Sequence, residues 1–170
     1  MMIEPLLLLL LGFAVAYTSY TDFKYFKIYN KVLLFILGLA IMLHVLQGTW
    51  RASIETLAVS FTIFFVIYLI KMTSAGDVKL FAVLGSITAD IRMMGLAFIL
   101  YMTGHLLIGI VHLVKQADYK PGQILTLLIQ DVRGFVSKTG SGIQPVRFPA
   151  AFLIGMSVIV AGVVQKFFMV

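Results

Sequence analysis

The 170-residue sequence contains no cysteine and little charge. Without cysteine the chain forms neither disulfides nor thiolate zinc sites, and it has no thiol nucleophile. Charged residues make up 12% of the chain and hydrophobic residues 61%, whereas about a quarter of a soluble domain is charged. This balance excludes an ordinary water-soluble globule and indicates a membrane protein, which we treat as one integral-membrane domain over residues 1–170.

Histidine is also scarce, and the positive charges do not form a binding patch. His105 and His112 lie seven positions apart in an apolar run with no carboxylate beside them, so packed histidines are favoured over metal ligands. The formal net charge is +6, but the Lys and Arg residues lie in connections between apolar runs. We therefore predict no metal, no cofactor and no nucleic-acid partner, and we expect contact with anionic lipid headgroups instead.

Long apolar runs dominate the rest of the chain and predict an all-α, polytopic fold with six transmembrane helices. The predicted spans are residues 5–20, 32–47, 54–70, 78–89, 93–114 and 148–168. The fourth span is short, since a full crossing needs about 20 residues, so it is tilted, partly submerged or extended through its polar ends. The first run is preceded by Glu4 rather than by the basic region of a signal peptide, so we predict an uncleaved span.

The distribution of basic residues predicts the orientation of these spans. If the loop after the first span is cytoplasmic, ten of the thirteen Lys and Arg residues face the cytoplasm, and both termini lie on the other side. The ten are Lys24, Lys27, Lys31, Lys71, Lys79, Lys115, Lys120, Arg133, Lys138 and Arg147.

The long cytoplasmic connection between the last two spans, residues 115–147, contains a second periodic pattern. Ile124, Leu128, Val132 and Phe135 recur at helical spacing with polar residues between them. This pattern predicts an amphipathic helix at the membrane interface. It serves either as a surface anchor, which we favour, or as a lid over a site.

Two aspartates, Asp22 and Asp77, are predicted at the same depth. Asp22 ends the first span and Asp77 opens the fourth, so both lie at the cytoplasmic boundary although fifty-five positions separate them. Two partly desolvated carboxylates at close range share one proton, so one is a base while the other is an acid. Such a pair can activate a water against a peptide carbonyl and protonate the departing amine, without a metal or cofactor.

Each candidate residue also has a purely structural interpretation. Asp77 could act as the N-cap of the fourth helix, and Asp22 could be a solvated residue of the loop after the first span. Gly76 either lets a substrate backbone approach the carboxylate or simply forms a turn. Lys79 steadies the local charge or extends to the headgroups, the second being the commoner role.

The segment TDFKYFKIYN, residues 21–30, resembles the first signature of type IV prepilin leader peptidases, an aspartate followed by Ile-Pro-Asn. Asp22, Ile28 and Asn30 match this signature, while Tyr29 replaces the proline.

The segment SAGDVKL, residues 74–80, resembles the second signature, Gly-x-Gly-Asp-Val-Lys-Leu, with Ser74 in place of the first glycine. VRFPAAFLIG, residues 146–155, resembles the segment that enters the last span of this family. The resemblance therefore runs through the whole chain in order.

The resemblance implies a membrane-embedded aspartic endopeptidase of the Gly-x-Gly-Asp type, with Asp22 and Asp77 as the catalytic pair and Gly76, Lys79, Asn30 and Ser74 close to the site. It implies cleavage of the basic leader from prepilins or pseudopilins at the cytoplasmic face of the plasma (inner) membrane. The absence of cysteine matches the short, peptidase-only form without the zinc-containing methyltransferase domain, as in tight-adherence pili or in archaeal relatives that process preflagellins.

Two other interpretations stay open. In a proton- or cation-coupled transporter, Asp22 and Asp77 would relay protons or bind a cation. A transporter predicts midplane acids or broken helices in repeated halves, and the sequence shows neither. A catalytically inactive relative that only supports pilus assembly predicts a missing aspartate, yet both are present.

Overall fold

The computed structural model describes residues 3–70, 72–116 and 150–168, and the regular secondary structure of these residues is entirely helical. The helices are α1 (Ile3–Tyr25), α2 (Asn30–Gln47), α3 (Trp50–Leu69), α4 (Ala75–Thr88), α5 (Ile91–Gln116) and α6 (Ala150–Phe168). All of them except α4 are long and apolar enough to cross a membrane. The predicted all-α, multi-pass membrane fold is thus confirmed, while full crossing by the fourth helix stays a prediction.

The chain forms two compact units, residues 1–101 with 149–170, and residues 102–148. The first unit contains α1 to α4, the first part of α5, and α6, and it carries every residue of the candidate site. In the second unit, the described residues belong to the last part of α5. The predicted amphipathic helix at Ile124–Phe135 lies outside the described residues, and the single domain over residues 1–170 stays a prediction.

The helix ends follow from local chemistry. Pro5 lies in the first turn of α1, where a missing N–H is tolerated. After α2 the chain turns at Gly48, whose φ of +76° favours glycine, and its N–H donates to the Val45 carbonyl. The turn after α4 places Ala89 at a φ of +50°, with its N–H bonded to the Gly85 carbonyl.

Helix α4 is the core of the first unit. It has 14 residues, about 21 Å of helix at 1.5 Å per residue, and packs against α1, α2, α3 and α6. Between Asp77 and Ile87, every residue of α4 except Lys79 is buried. A helix that is apolar on all sides is usually buried inside a bundle. The neighbouring helices cover the apolar side chains of α4, so this short helix does not have to expose them to lipid.

Helices α3 and α4 approach closely along small residues. Ser53, Thr56, Ser60 and Phe64 recur at helical spacing on the buried face of α3, and the Ser53 hydroxyl donates to the Ser86 carbonyl oxygen at 2.8 Å. Close approach with small side chains is typical of packing between membrane helices.

Two further contacts join helices of the bundle. Gly155 of α6 lies directly against the side chain of Val15 on α1. At the end far from Asp77, buried His44 of α2 bonds through Nε2 to the Ile87 carbonyl at 3.0 Å and through Nδ1 to the Thr49 hydroxyl at 2.9 Å. His44 is therefore a packed, hydrogen-bonded residue.

Candidate active site

Asp22 lies in the last turns of α1, inside the helix rather than in the loop after it. Helix α1 continues five residues beyond the predicted end, to Tyr25, and leaves Asp22 only 8% exposed. Its Oδ2 accepts a hydrogen bond from the backbone N–H of Ala151 at 2.9 Å, in the first turn of α6. The interpretation of Asp22 as a solvated loop residue is therefore wrong.

Asp77 lies in the first turn of α4, in a capping box with Ser74. Ser74 is the N-cap, its hydroxyl accepts from the Asp77 N–H at 3.3 Å, and its own N–H donates to Asp77 Oδ2 at 3.0 Å. The Thr73 hydroxyl donates to the same carboxylate oxygen at 3.0 Å. Ser74, rather than Asp77, is the N-cap residue of α4. Asp77 takes part in the capping box through its Oδ2 atom, which accepts the hydrogen bond from the Ser74 N–H.

The fold brings the two aspartates together. Helices α1 and α4 pack against each other, and the charge of Asp77 acts on the carboxyl group of Asp22. Both side chains are buried, Asp77 to 6% exposure. Within the described residues, the protein hydrogen bonds of both carboxyl groups go to Oδ2.

The remaining predicted residues lie around this pair. The Lys79 ammonium donates to Asn30 Oδ1 at 3.1 Å, which ties the start of α2 to α4. Gly76 is helical and adjoins Ile28, because an added Cβ would lie 3.5 Å from the Ile28 side chain. The loop between α1 and α2 thus covers the start of α4. Substrate approach over Gly76 stays a prediction.

Sequence reasoning missed two contributors to the site. Thr73 holds the Asp77 carboxylate, and Tyr101 of α5 hydrogen-bonds through its side chain to Thr73. A polar residue close to the signature aspartate was an available signal for Thr73. Tyr101 gave none, because it stands in an apolar run.

No group of three or more His, Asp or Glu side chains in the described parts of the chain is arranged to hold a metal ion. The predicted absence of a metal or cofactor stays a prediction.

The fold and the site define a class: this chain is a multi-pass helical membrane protein with two buried, interacting carboxyl groups near the ends of packed helices. The chain belongs to the type IV leader peptidase family, whose model matches residues 8–114. That match covers more than half of the chain and includes Asp22, Asn30, Ser74, Gly76, Asp77 and Lys79. Among curated proteins and solved structures, none matches the chain. The predicted family membership is confirmed, and the protein is a peptidase of the membrane.

Proposed function

We propose that the protein is an aspartic endopeptidase that removes the basic leader from prepilins or pseudopilins, with Asp22 and Asp77 as the catalytic pair. The observation that supports this most directly is the meeting of the two signature aspartates, buried and interacting, from distant parts of the chain. A partly desolvated carboxyl pair holds one proton between its members. The pair then titrates as a unit and offers a base and an acid at once.

The proposed reaction has two steps. In the first, the ionised aspartate takes a proton from water as the water oxygen bonds to the peptide carbonyl carbon, and the other aspartic acid protonates the carbonyl oxygen. In the second, the C–N bond of the tetrahedral intermediate breaks. The aspartate that gained the water proton gives it to the amine, and the other regains a proton from a hydroxyl of the intermediate. Both aspartates return to their starting states.

The substrate is proposed to enter sideways from the bilayer. Many large side chains of the spans are exposed to the surrounding lipid, so the apolar helix of a prepilin can pack there without displacing water. The basic leader would then reach the aspartates at the cytoplasmic face of the plasma (inner) membrane. The positions of Asp22 and Asp77 at helix ends fit this role better than a transporter, which requires acids at the midplane.

Co-expression with a candidate prepilin tests the proposal. Asp22→Asn and Asp77→Asn keep an acceptor oxygen at each position but cannot share a proton. We expect each to reduce prepilin cleavage by about 100-fold or more, the range of general acid–base catalysis. The measurement is the ratio of unprocessed to processed pilin on a gel, normalised to the amount of each variant in the membrane.

Asp90→Asn is the matched control, because Asp90 lies after α4, at the other end of that helix from Asp77. We expect this variant to cut the prepilin at the wild-type rate. Full processing by Asp22→Asn or Asp77→Asn would refute the aspartic mechanism.

A further inference from the structure

A hydrogen-bond chain connects Asp77 to the interior of the bundle. The Thr73 hydroxyl donates to Asp77 Oδ2 at 3.0 Å, and the side chain of Tyr101 bonds to Thr73. Thr73 has a single hydroxyl hydrogen, which it gives to the carboxylate. The Tyr101 hydroxyl is therefore the donor in the Tyr101–Thr73 pair.

Packing holds Tyr101, which is the end of this hydrogen-bond chain farthest from Asp77. Tyr101 is 1% exposed, and its ring centroid lies 5.1 Å from that of Phe64. Phe64 in turn stacks on Phe81 of α4 at 3.9 Å and meets Phe98 edge-on at 5.8 Å. Tyr101 thus packs against Phe64 of α3, which is itself held by Phe81 of α4 and Phe98 of α5. Through Thr73, this cluster restrains the residues that directly precede α4.

The two aspartates receive unequal support for a negative charge. Asp77 Oδ2 accepts two hydrogen bonds, and the residue lies in the first turn of its own helix, where the helix dipole favours an anion. Asp22 accepts one, from Ala151 at the start of α6. It lies near the C-terminal end of its own helix, where the dipole disfavours an anion.

Among the described residues, two titratable groups interact with Asp77. Asp22 of α1 and Tyr101 of α5 interact with it, and the ammonium of Lys79 bonds to Asn30 rather than to the carboxylate. Within the described residues, α2, α3 and α6 give the Asp77 carboxylate no hydrogen bond.

We propose that Thr73 and Tyr101 are positioning residues that hold Asp77 as the ionised member of the pair. This inference rests on the proposed aspartic mechanism and assigns its two roles. Asp77 Oδ1 takes the proton from the attacking water, while Asp22 carries the proton that goes to the carbonyl oxygen. Tyr101 acts only through Thr73, by fixing the direction of its hydroxyl group.

The test uses the full-length protein in lipid nanodiscs with a purified prepilin that the wild type cuts. Thr73→Val keeps the shape of the side chain but removes the donor to Asp77. We expect kcat to fall by about 10- to 100-fold with KM within about twofold, because a hydrogen bond to a charged group is lost. The acidic limb of the kcat profile should move to higher pH by about one unit, since the base is then less readily ionised.

Two more variants separate positioning from packing. Thr73→Ser keeps the hydroxyl group and should restore kcat and the pH profile to near wild type. Tyr101→Phe keeps the ring among the aromatics and should shift both in the same direction as Thr73→Val, by a smaller amount. Thr62→Val and Tyr68→Phe are matched controls, because both residues are exposed on α3, and both should behave as wild type.

Wild-type kcat and an unmoved acidic limb in both Thr73→Val and Tyr101→Phe would overturn this inference, while inactive Asp22→Asn and Asp77→Asn would leave the proposed function standing. Full processing by either aspartate variant would instead reject the proposed function itself. If Thr73→Val fails to insert, the pH profile of Tyr101→Phe decides, because its packing is preserved.

Discussion

At the scale of single residues, three aspartates show how surroundings decide the role of one side chain. Asp22 and Asp77 are buried and act on each other, so their proposed role is proton exchange. Asp90 caps α5, because its Oδ1 accepts from the backbone N–H groups of Arg92 at 2.9 Å and Met93 at 3.0 Å. Its Oδ2 accepts from the Gln165 side chain at 2.6 Å, which joins the start of α5 to α6.

The cap at Asp90 makes stability depend on pH. Partial burial by itself raises the pKa of Asp90, but the hydrogen bonds from Met93, Gln165 and Arg92, with the positive charge of Arg92, bring that pKa below its ordinary value of 3.8. A carboxyl group with a lower pKa in the folded state stabilises the fold above pH 3.8. That contribution is lost as the pH falls from there through the folded-state pKa.

Asp90→Ala should therefore lower the free energy of unfolding at pH 7 by about 0.5–2 kcal/mol, the usual cost of a lost N-cap. The difference from wild type should shrink as the pH falls below 3.8. There the wild-type carboxyl group becomes protonated first in the unfolded chain and, at lower pH, in the folded protein. Thermal unfolding of both proteins in detergent at pH 7 and pH 3 measures this. An equal difference at both pH values would contradict the assigned ionic role.

At the scale of elements, the packing of α3 on α4 depends on the missing side chain of Gly85. A Cβ added there would run into the Ser60 hydroxyl and lie 3.1 Å from the Thr56 carbonyl oxygen. The backbone of α3 cannot move away without disturbing the Phe64–Phe81 stack and the Ser53–Ser86 bond. The close helix–helix contact therefore requires glycine at this position.

Gly85→Ala should lower the free energy of unfolding by about 1–3 kcal/mol, the range of overpacking in a core. Gly38→Ala on α2 is the matched control, because nothing lies within 4 Å of its added Cβ. There alanine loses less backbone entropy on folding than glycine does, so stability should stay unchanged or rise by up to about 1 kcal/mol. Thermal unfolding in the same detergent compares the two, and equal stability of both variants would argue against the described helix contact.

At the scale of the whole molecule, the arrangement of the spans predicts that the two aspartates lie on one side of the membrane. Helices α2 and α3 are each long and apolar enough to cross, and if both do, the loop before α2 and the connection after α3 lie on the same side. Asp22 and Asp77 adjoin these two segments. The excess of Lys and Arg predicts that this side is cytoplasmic.

A natural chain without cysteine permits a direct test of this topology. Single cysteines at Lys27, Arg51 and Met72 replace exposed residues before α2, at the start of α3, and between α3 and α4. We expect a membrane-impermeant maleimide added outside intact cells to label the variant at Arg51, whereas those at Lys27 and Met72 react only after lysis. Labelling of Lys27→Cys and Met72→Cys from opposite sides would contradict a shared site.

Much of this protein is readable from the sequence because the bilayer restricts the choice of structure. Backbone polar groups inside lipid must bond within their own segment, so long apolar runs have to be helices. The GDVKL segment at residues 76–80 and the aspartate of the first signature then indicate the family and the two candidate acids. These signals are local in sequence, and no tertiary contact is needed to read them.

Tertiary structure alone decided which surface each helix buries and what each aspartate contacts. Apolar runs look alike whether they face lipid or protein, so the central position of α4 and the buried Tyr101 beside Thr73 had no sequence signature. The bond from Ala151 to Asp22 joins residues that are far apart in the chain. Such contacts depend on the packing of several helices at once, and the identity of any single residue does not contain that information.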